Sequence, residues 1–358
     1  MKKLFLILSI VWWATPWGTA QTKNVDIDNV SFYYAYRLFP TQPRDPIQFA
    51  YTARVHAGSV AKNHLNLEEL EAAFYIAGQT RTTDESEAQM QVEMTMGDIV
   101  IASSNVSERK QEVKSKDGKV TTYYYYRVVV VYSFDSSYRF LAGEEVLEDG
   151  NIFSRPIPQT FSTQEYDSRK QAVDYWNNNR EVLVASFYTD HAMKTVREVS
   201  GFASSQFGFP EKKDVRYTLK TIDEKKHNEN TAFRTAVDTL KALLQATTPD
   251  ELPDRERLNS LIDYFKSIPA KYTDPKLKAD VRLRYAAYYN LCALHYYMDE
   301  PEKVAEYADL LIANGYDTRD GERMKKDAAA LQKQFDTTGI RTRHFHPESY
   351  FQNTPADS

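Results

Sequence analysis

One stretch limits what this chain can fold into more than any other. Residues 121–134 read TTYYYYRVVVVYSF, aromatic or β-branched almost without a break. That is the composition strands favour. One parity carries Tyr123, Tyr125, Val129 and Val131; the other carries Tyr124, Tyr126, Val128, Val130, Tyr132 and Phe134. Side chains alternate faces along a strand, so both faces are apolar, which predicts a central strand covered on both sides. The polar run 107–116 precedes it, and Asp117-Gly118 between them is a hairpin signal.

Other segments supply neighbours for that strand. Phe32, Tyr34, Tyr36 and Leu38 alternate with smaller or polar residues, as do Ile47, Phe49, Tyr51, Ala53 and Val55. Ala88, Met90, Val92, Met94 and Met96 alternate cleanly, which makes the methionine row a core face rather than a copper site. Residues 138–147 predict a further strand interrupted at Gly143, and 149–166 read as irregular. Val215, Tyr217 and Leu219 predict a last strand returning to the same sheet. Asn66 with Glu69 resembles a capping box, and Leu67, Leu70, Ala73, Phe74 and Ala77 make one helical stripe ending at Gly78. Residues 169–200 predict one long helix or two shorter ones, divided at Asn177-Asn178-Asn179.

After Glu224 only helical periods remain. They predict five helices with short connections, the second beginning near Pro253, and a linker bracketed by Pro269 and Pro275. The fold class is therefore α+β: a mostly antiparallel sheet with two or three helices over 21–224, a helical-hairpin module over 225–338, and a polar tail over 339–358.

Residues 1–20 have the form of a secretory signal peptide. Lys2 and Lys3 precede a short apolar core, and Gly18-Thr19-Ala20 supplies the small residues of a cleavage site. The expected place of the mature protein is the bacterial periplasm or the exterior. Gln21 rather than a cysteine stands directly after the cleavage point, which excludes a lipoprotein anchor, and no later run approaches the ~20 apolar residues of a membrane span. The chain's net charge is −5 before loss of the two lysines, which argues against nucleic acid or anionic lipid as the partner. Cys292 is the only cysteine in 358 residues, so no intrachain disulfide forms.

Asn290, Leu291 and Cys292, the turn at Asp299, and Val304, Ala308 and Leu311 resemble one hairpin of the tetratricopeptide-repeat family. The resemblance covers 286–314. His295 stands where that family has an aromatic, Cys292 where it has glycine, and no proline closes the unit. The resemblance implies a helical hairpin and the binding of protein segments, not a reaction. The strand, helix, strand, hairpin order of the N-terminal half likewise resembles small α+β modules of bacterial envelope proteins, which fixes no function.

No catalytic motif, cofactor loop or metal cage is written in the chain. With 12 glycines in all, a glycine-rich nucleotide site has little material. Cys292 and His295 share a helix face, but the pair reads as helix packing. His344 and His346 flank Phe345 and would point the same way in an extended segment, giving two positions of a zinc site on a surface tail. The reading favoured is a non-enzymatic envelope protein that holds another protein or peptide segment. Its candidate contacts are the tyrosines Tyr285, Tyr288, Tyr289, Tyr296 and Tyr297, since one helix cannot bury all five on one side. The alternative is a carbohydrate-binding protein or a hydrolase of envelope polysaccharide, with Trp176 the first stacking candidate.

Overall fold

A computed structural model describes residues 25–43, 50–348 and 350. The predicted signal peptide and residues 47–49 of the second expected strand lie outside the described residues. In chain order the elements are β1 (Ile27–Arg37), β2 (Ala50–Ala57), α1 (Leu67–Ala73), β3 (Thr80–Arg81), β4 (Met90–Met96), β5 (Val100–Lys114) and β6 (Val120–Ser133). Then come β7 (Ser136–Ala142), β8 (Glu145–Phe153), β9 (Gln159–Ser162), α2 (Arg169–Phe207) and β10 (Glu211–Ile222). Among the described residues these helices follow: α3 (Asn230–Gln245), α4 (Arg255–Lys271), α5 (Lys278–Tyr297), α6 (Pro301–Ala313) and α7 (Thr318–Thr338). The class is α+β, as the sequence predicts.

The chain divides into two compact units. A helical unit takes residues up to Ala35 with Lys213–Thr248 and Leu252–Lys333; a sheet unit takes Tyr36–Lys212, Pro249–Glu251 and the residues from Gln334 on. This is not the single border at 224/225 that composition suggests. The reason is that β10 does not return to the main sheet: it pairs with β1 in a two-stranded ribbon, and most of that ribbon belongs to the helical unit.

The sheet unit holds a five-stranded sheet of order β3-β2-β4-β7-β8 and a three-stranded sheet of order β5-β6-β9. β2 runs parallel to both β3 and β4, whereas β4, β7 and β8 are successively antiparallel. The methionine row of β4 is core, with Met90, Val92, Met94 and Met96 all buried. Gly143 does not interrupt one strand. With φ +61° it turns a hairpin in which Ala142 faces Glu145. β8 and β9 then occupy much of what reads as irregular chain.

α1 is capped as predicted, Asn66 Oδ1 accepting from Glu69 N at 3.3 Å, but it stops at Ala73. Side chains take the backbone groups that a longer helix would use. The Tyr51 hydroxyl donates to Phe74 O at 3.4 Å and accepts from Ile76 N at 3.3 Å; Ser200 and Ser204 accept from Tyr75 N and Ala77 N. α2 is a single helix of 39 residues, about 58 Å long. Its Asn179 Nδ2 donates to Tyr175 O at 2.8 Å, so the asparagine run is accommodated inside it. Its first half packs Ala172, Trp176 and Phe187 on Val128, Val130 and Tyr132 of β6. Its second half packs Tyr188, Ala192, Val196, Val199, Ala203 and Phe207 on the five-stranded sheet. Trp176 is therefore core.

β6 sits in the middle of its sheet, between β5 and β9, but it is covered on one face only. β9 has four residues and pairs with Val129 to Tyr132; beyond the Tyr126–Tyr166 bridge, β5 and β6 continue as a two-stranded arm. Tyr123 and Tyr124 are exposed on that arm. Strand composition places the segment in a sheet, but burial of each face depends on what packs there.

Of the predicted tail, residues 349 and 351–358 lie outside the described residues, and 339–348 are not a surface tail. Ile340, Arg343, His344 and Phe345 are buried. Arg37 is their main anchor: its backbone N donates to Arg343 O at 2.9 Å and its Nε to Phe345 O at 2.8 Å. Its guanidinium also reaches Phe209 O at 3.3 Å, Glu211 at 3.5 Å and the Asp250 carboxylate.

In the helical unit, Asp254 rather than Pro253 caps α4, and Pro269 lies in its last turns instead of starting a linker. The buried Glu229 carboxylate, just before α3, accepts from Tyr264 and Tyr272 of the α4 region at 3.1 Å each and from Lys271. Burial raises that carboxyl, but Lys271 and the two phenols together bring it below its ordinary value.

Arg37→Met should remove about 3 kcal/mol of stability, read by urea unfolding, because it strands a carboxylate and two buried carbonyls. Asp250→Asn should cost about 1 kcal/mol, since Asp250 is one-third exposed.

Candidate functional site

α5 of the helical unit carries all five predicted contact tyrosines. Three are buried: Tyr285, Tyr289 and Tyr297 are 3%, 4% and 6% exposed. Tyr288 and Tyr296 are half-buried. The expectation that α5 presents surplus aromatic surface is thus corrected. The helix has partners on several sides, so it buries more than one stripe. Tyr297 packs 4.5 Å from Tyr34, 5.1 Å from Tyr217 and 5.3 Å from Phe32 between ring centroids. Tyr285 donates to Asp320 Oδ2 at 2.5 Å and packs 4.7 Å from Tyr316.

Three of the five nevertheless meet at one place. Tyr289, Tyr296 and Tyr297 line a hollow of about 220 Å³ with Tyr217 and Thr218 of β10, Val304 of α6 and Arg323, Met324 and Asp327 of α7. Positions 289, 292, 293 and 296 share one face of α5, and the small residues Cys292 and Ala293 between the tyrosines leave the space. The ribbon is fixed against α5 by a double hydrogen bond: Asn290 Oδ1 accepts from Lys220 N and Nδ2 donates to Lys220 O, both at 2.8 Å. The Tyr289 hydroxyl lies 3.3 Å from Thr218 Oγ1, and Lys220 Nζ stands 4.7 Å over the Tyr289 ring.

The polar groups are few. Arg216 lies at the mouth on β10, and Arg323 donates to Asp320 Oδ1 at 2.7 Å. Asp327 is exposed by area yet crowded by neighbouring atoms; that burial raises its carboxyl, against the pull of Arg323 and Lys326. Cys292 offers no nucleophile. It is buried, its Sγ lies 3.8 Å from Val304 O, and burial pushes its thiol far up. His295, one turn from Cys292, is lowered from the ordinary imidazole value: burial lowers it more than the Glu300 carboxylate 2.5 Å from its Nδ1 raises it.

His344 and His346 do not form a pair. His344 is 5% exposed, whereas the His346 side chain is 67% exposed and 3.7 Å from Asp250. Among the described residues no group of three or more His, Cys, Asp and Glu could hold a metal ion.

No family model matches the chain. None of the curated proteins matches it either. Among solved structures, a neuraminyllactose-binding hemagglutinin homolog from Helicobacter pylori is 14% identical and spans 44% of this chain and 96% of its own, with a TM-score of 0.19. At that score the likeness carries no argument about fold or site. Among the described residues no helix is long and apolar enough to cross a membrane.

The β10 side of the hollow and its charged α7 rim are invisible to periodicity. The one local signal is Asn290, a polar residue on an apolar helix face, whose partner is the ribbon backbone.

His227 and His295 are both lowered chiefly by burial. Each binds a proton more readily in the unfolded chain, so stability is full above about pH 6.5 and falls as pH drops toward the depressed values. The slope should reach about 1.4 kcal/mol per pH unit per histidine. Melting temperatures between pH 8 and pH 5 should show this, and the decline should flatten in His227→Gln and His295→Gln.

Proposed function

We propose that this chain is an exported, non-catalytic binding protein of the bacterial envelope, periplasmic or secreted, whose helical unit holds a segment of another protein. The observation that carries the reading is the tyrosine-walled hollow and its size. Cofactor and metabolite pockets usually run to 300–1,000 Å³. A hollow of about 220 Å³ suits one anchoring side chain of a partner, the arrangement that concentrates energy at protein interfaces. Tyr217, Tyr289 and Tyr297 are already packed, so their faces meet a ligand with little ordering cost. Arg216 and Arg323 at the mouth suit a segment with acidic residues beside the anchor.

A second reading has one observation in its favour. Tyrosine faces beside an arginine and a carboxylate also suit a single sugar ring. Hydrolysis of that sugar's linkage is less well supported, because Asp327 is the one carboxylate among the lining residues and such chemistry uses two.

Selection from a phage-displayed peptide library against the intact chain tests the first reading. Enriched peptides should share one anchor residue, and Arg323→Glu at its mouth should weaken them about tenfold or more with the fold unchanged by circular dichroism; Ala293→Trp, which fills the hollow from a buried position, should abolish them even where it lowers the melting temperature. Glycan-array binding lost in Ala293→Trp, with no peptide enriched, would decide for the sugar.

A further inference from the structure

The arm formed by β5 and β6 in the sheet unit has a composition that the hollow does not explain. Past the Tyr126–Tyr166 bridge it runs roughly 20 Å as two strands alone. Its turn spans 115–119, with Ser115 N donating to Lys119 O at 2.9 Å and Gly118 at φ +84°. Near this turn Val113, Val120, Tyr123 and Tyr124 are 44–53% exposed.

The register places these four on both faces. Val113 faces Thr121 and Gln111 faces Tyr123, so Val113 and Tyr123 share one face. Lys114 faces Val120 and Lys110 faces Tyr124, so Val120 and Tyr124 share the other. A flat protein partner covers one face of a ribbon and leaves the other wet. Immersion in an interfacial layer covers both.

Charge selects the layer. Lys114, Lys116 and Lys119 crowd the tip against Asp117, which is occupied by the Ser115 hydroxyl. The tip is thus positive on a chain of net charge −5. Whole-chain acidity speaks against anionic lipid; the local sign at the end of a projecting arm reverses that conclusion. Valine and tyrosine flanked by lysines is the pattern of segments that sit at the headgroup level, the rings in the interface and the ammonium groups among the phosphates.

We propose that the tip of this arm, residues 113–124, is a docking element for an anionic lipid bilayer. It inserts Val113, Val120, Tyr123 and Tyr124 at headgroup depth and sets Lys114, Lys116 and Lys119 against lipid phosphates. The contact is peripheral and reversible, and it is independent of the hollow in the helical unit.

Flotation of the full chain with vesicles tests this. Vesicles of equal parts phosphatidylglycerol and phosphatidylcholine should carry the protein, pure phosphatidylcholine should carry about tenfold less, and high salt should release it. A triple variant, Lys114→Gln, Lys116→Gln and Lys119→Gln, and a double variant, Tyr123→Ser and Tyr124→Ser, should each lose about tenfold in partitioning. All five positions are exposed, so circular dichroism and melting temperature should stay as in the parent. Absence of flotation with anionic vesicles overturns the proposal, as does flotation equal on neutral vesicles or unchanged in both variants. A concentration-dependent dimer that the tyrosine variant abolishes, without vesicle binding, overturns it in favour of a second copy of this chain.

Discussion

The sheet unit is gathered by one buried cation. Arg37 presents its guanidinium to Phe209 O and Glu211, to Asp250, and to Phe345 O. These groups come from three separated stretches of chain. An arginine taken out of water costs free energy unless its donors are met, and here carbonyls and two carboxylates meet them in a planar fork that a lysine could not supply. The long-range closure entropy of bringing 345 and 250 back to 37 is offset at this point. The final residues of the chain thereby become part of a core, and His344 is enclosed while its neighbour but one, His346, stays in solvent.

The hollow depends on a different economy of space. Four tyrosines line it: Tyr289 and Tyr297 are buried on α5 and meet Thr218 and Tyr217 of β10, while Tyr217 and Tyr296 are half-buried. Cys292 and Ala293 leave the volume that larger side chains would fill. The α5 and α6 walls of the site are firm, since Tyr289, Cys292, Ala293, Tyr297 and Val304 are core residues. That packing suits recognition of a fixed shape, and burial keeps the Cys292 thiol protonated and enclosed.

Much of the fold is legible in the sequence because period and composition are local properties. β4 can be read from its alternation, α1 from Asn66 and Glu69, and α3 to α7 from their stripes. What periodicity misses has physical causes in long-range partners. α1 ends early because Tyr51, Ser200 and Ser204 compete for its backbone groups. β10 joins β1 rather than the main sheet, and nothing in Val215, Tyr217 and Leu219 says which strand will be beside them. β6 is the sharpest case. Two apolar faces imply two coverings, yet α2 covers one, and the tyrosine end runs past β9 into solvent. The five α5 tyrosines were legible as a cluster and not as a surface, because burial depends on β10, α6 and α7 together.

The double hydrogen bond of Asn290 has a consequence for the ribbon's own safety. A two-stranded ribbon has two open edges, each a row of backbone groups able to template a foreign strand. At Lys220 the carboxamide occupies both the N–H and the C=O, as a neighbouring strand would. One side chain on a helix thus acts as a stopper in the hydrogen-bonding lattice of β10. The same atoms that fix β10 against α5 withhold that position from pairing with another chain.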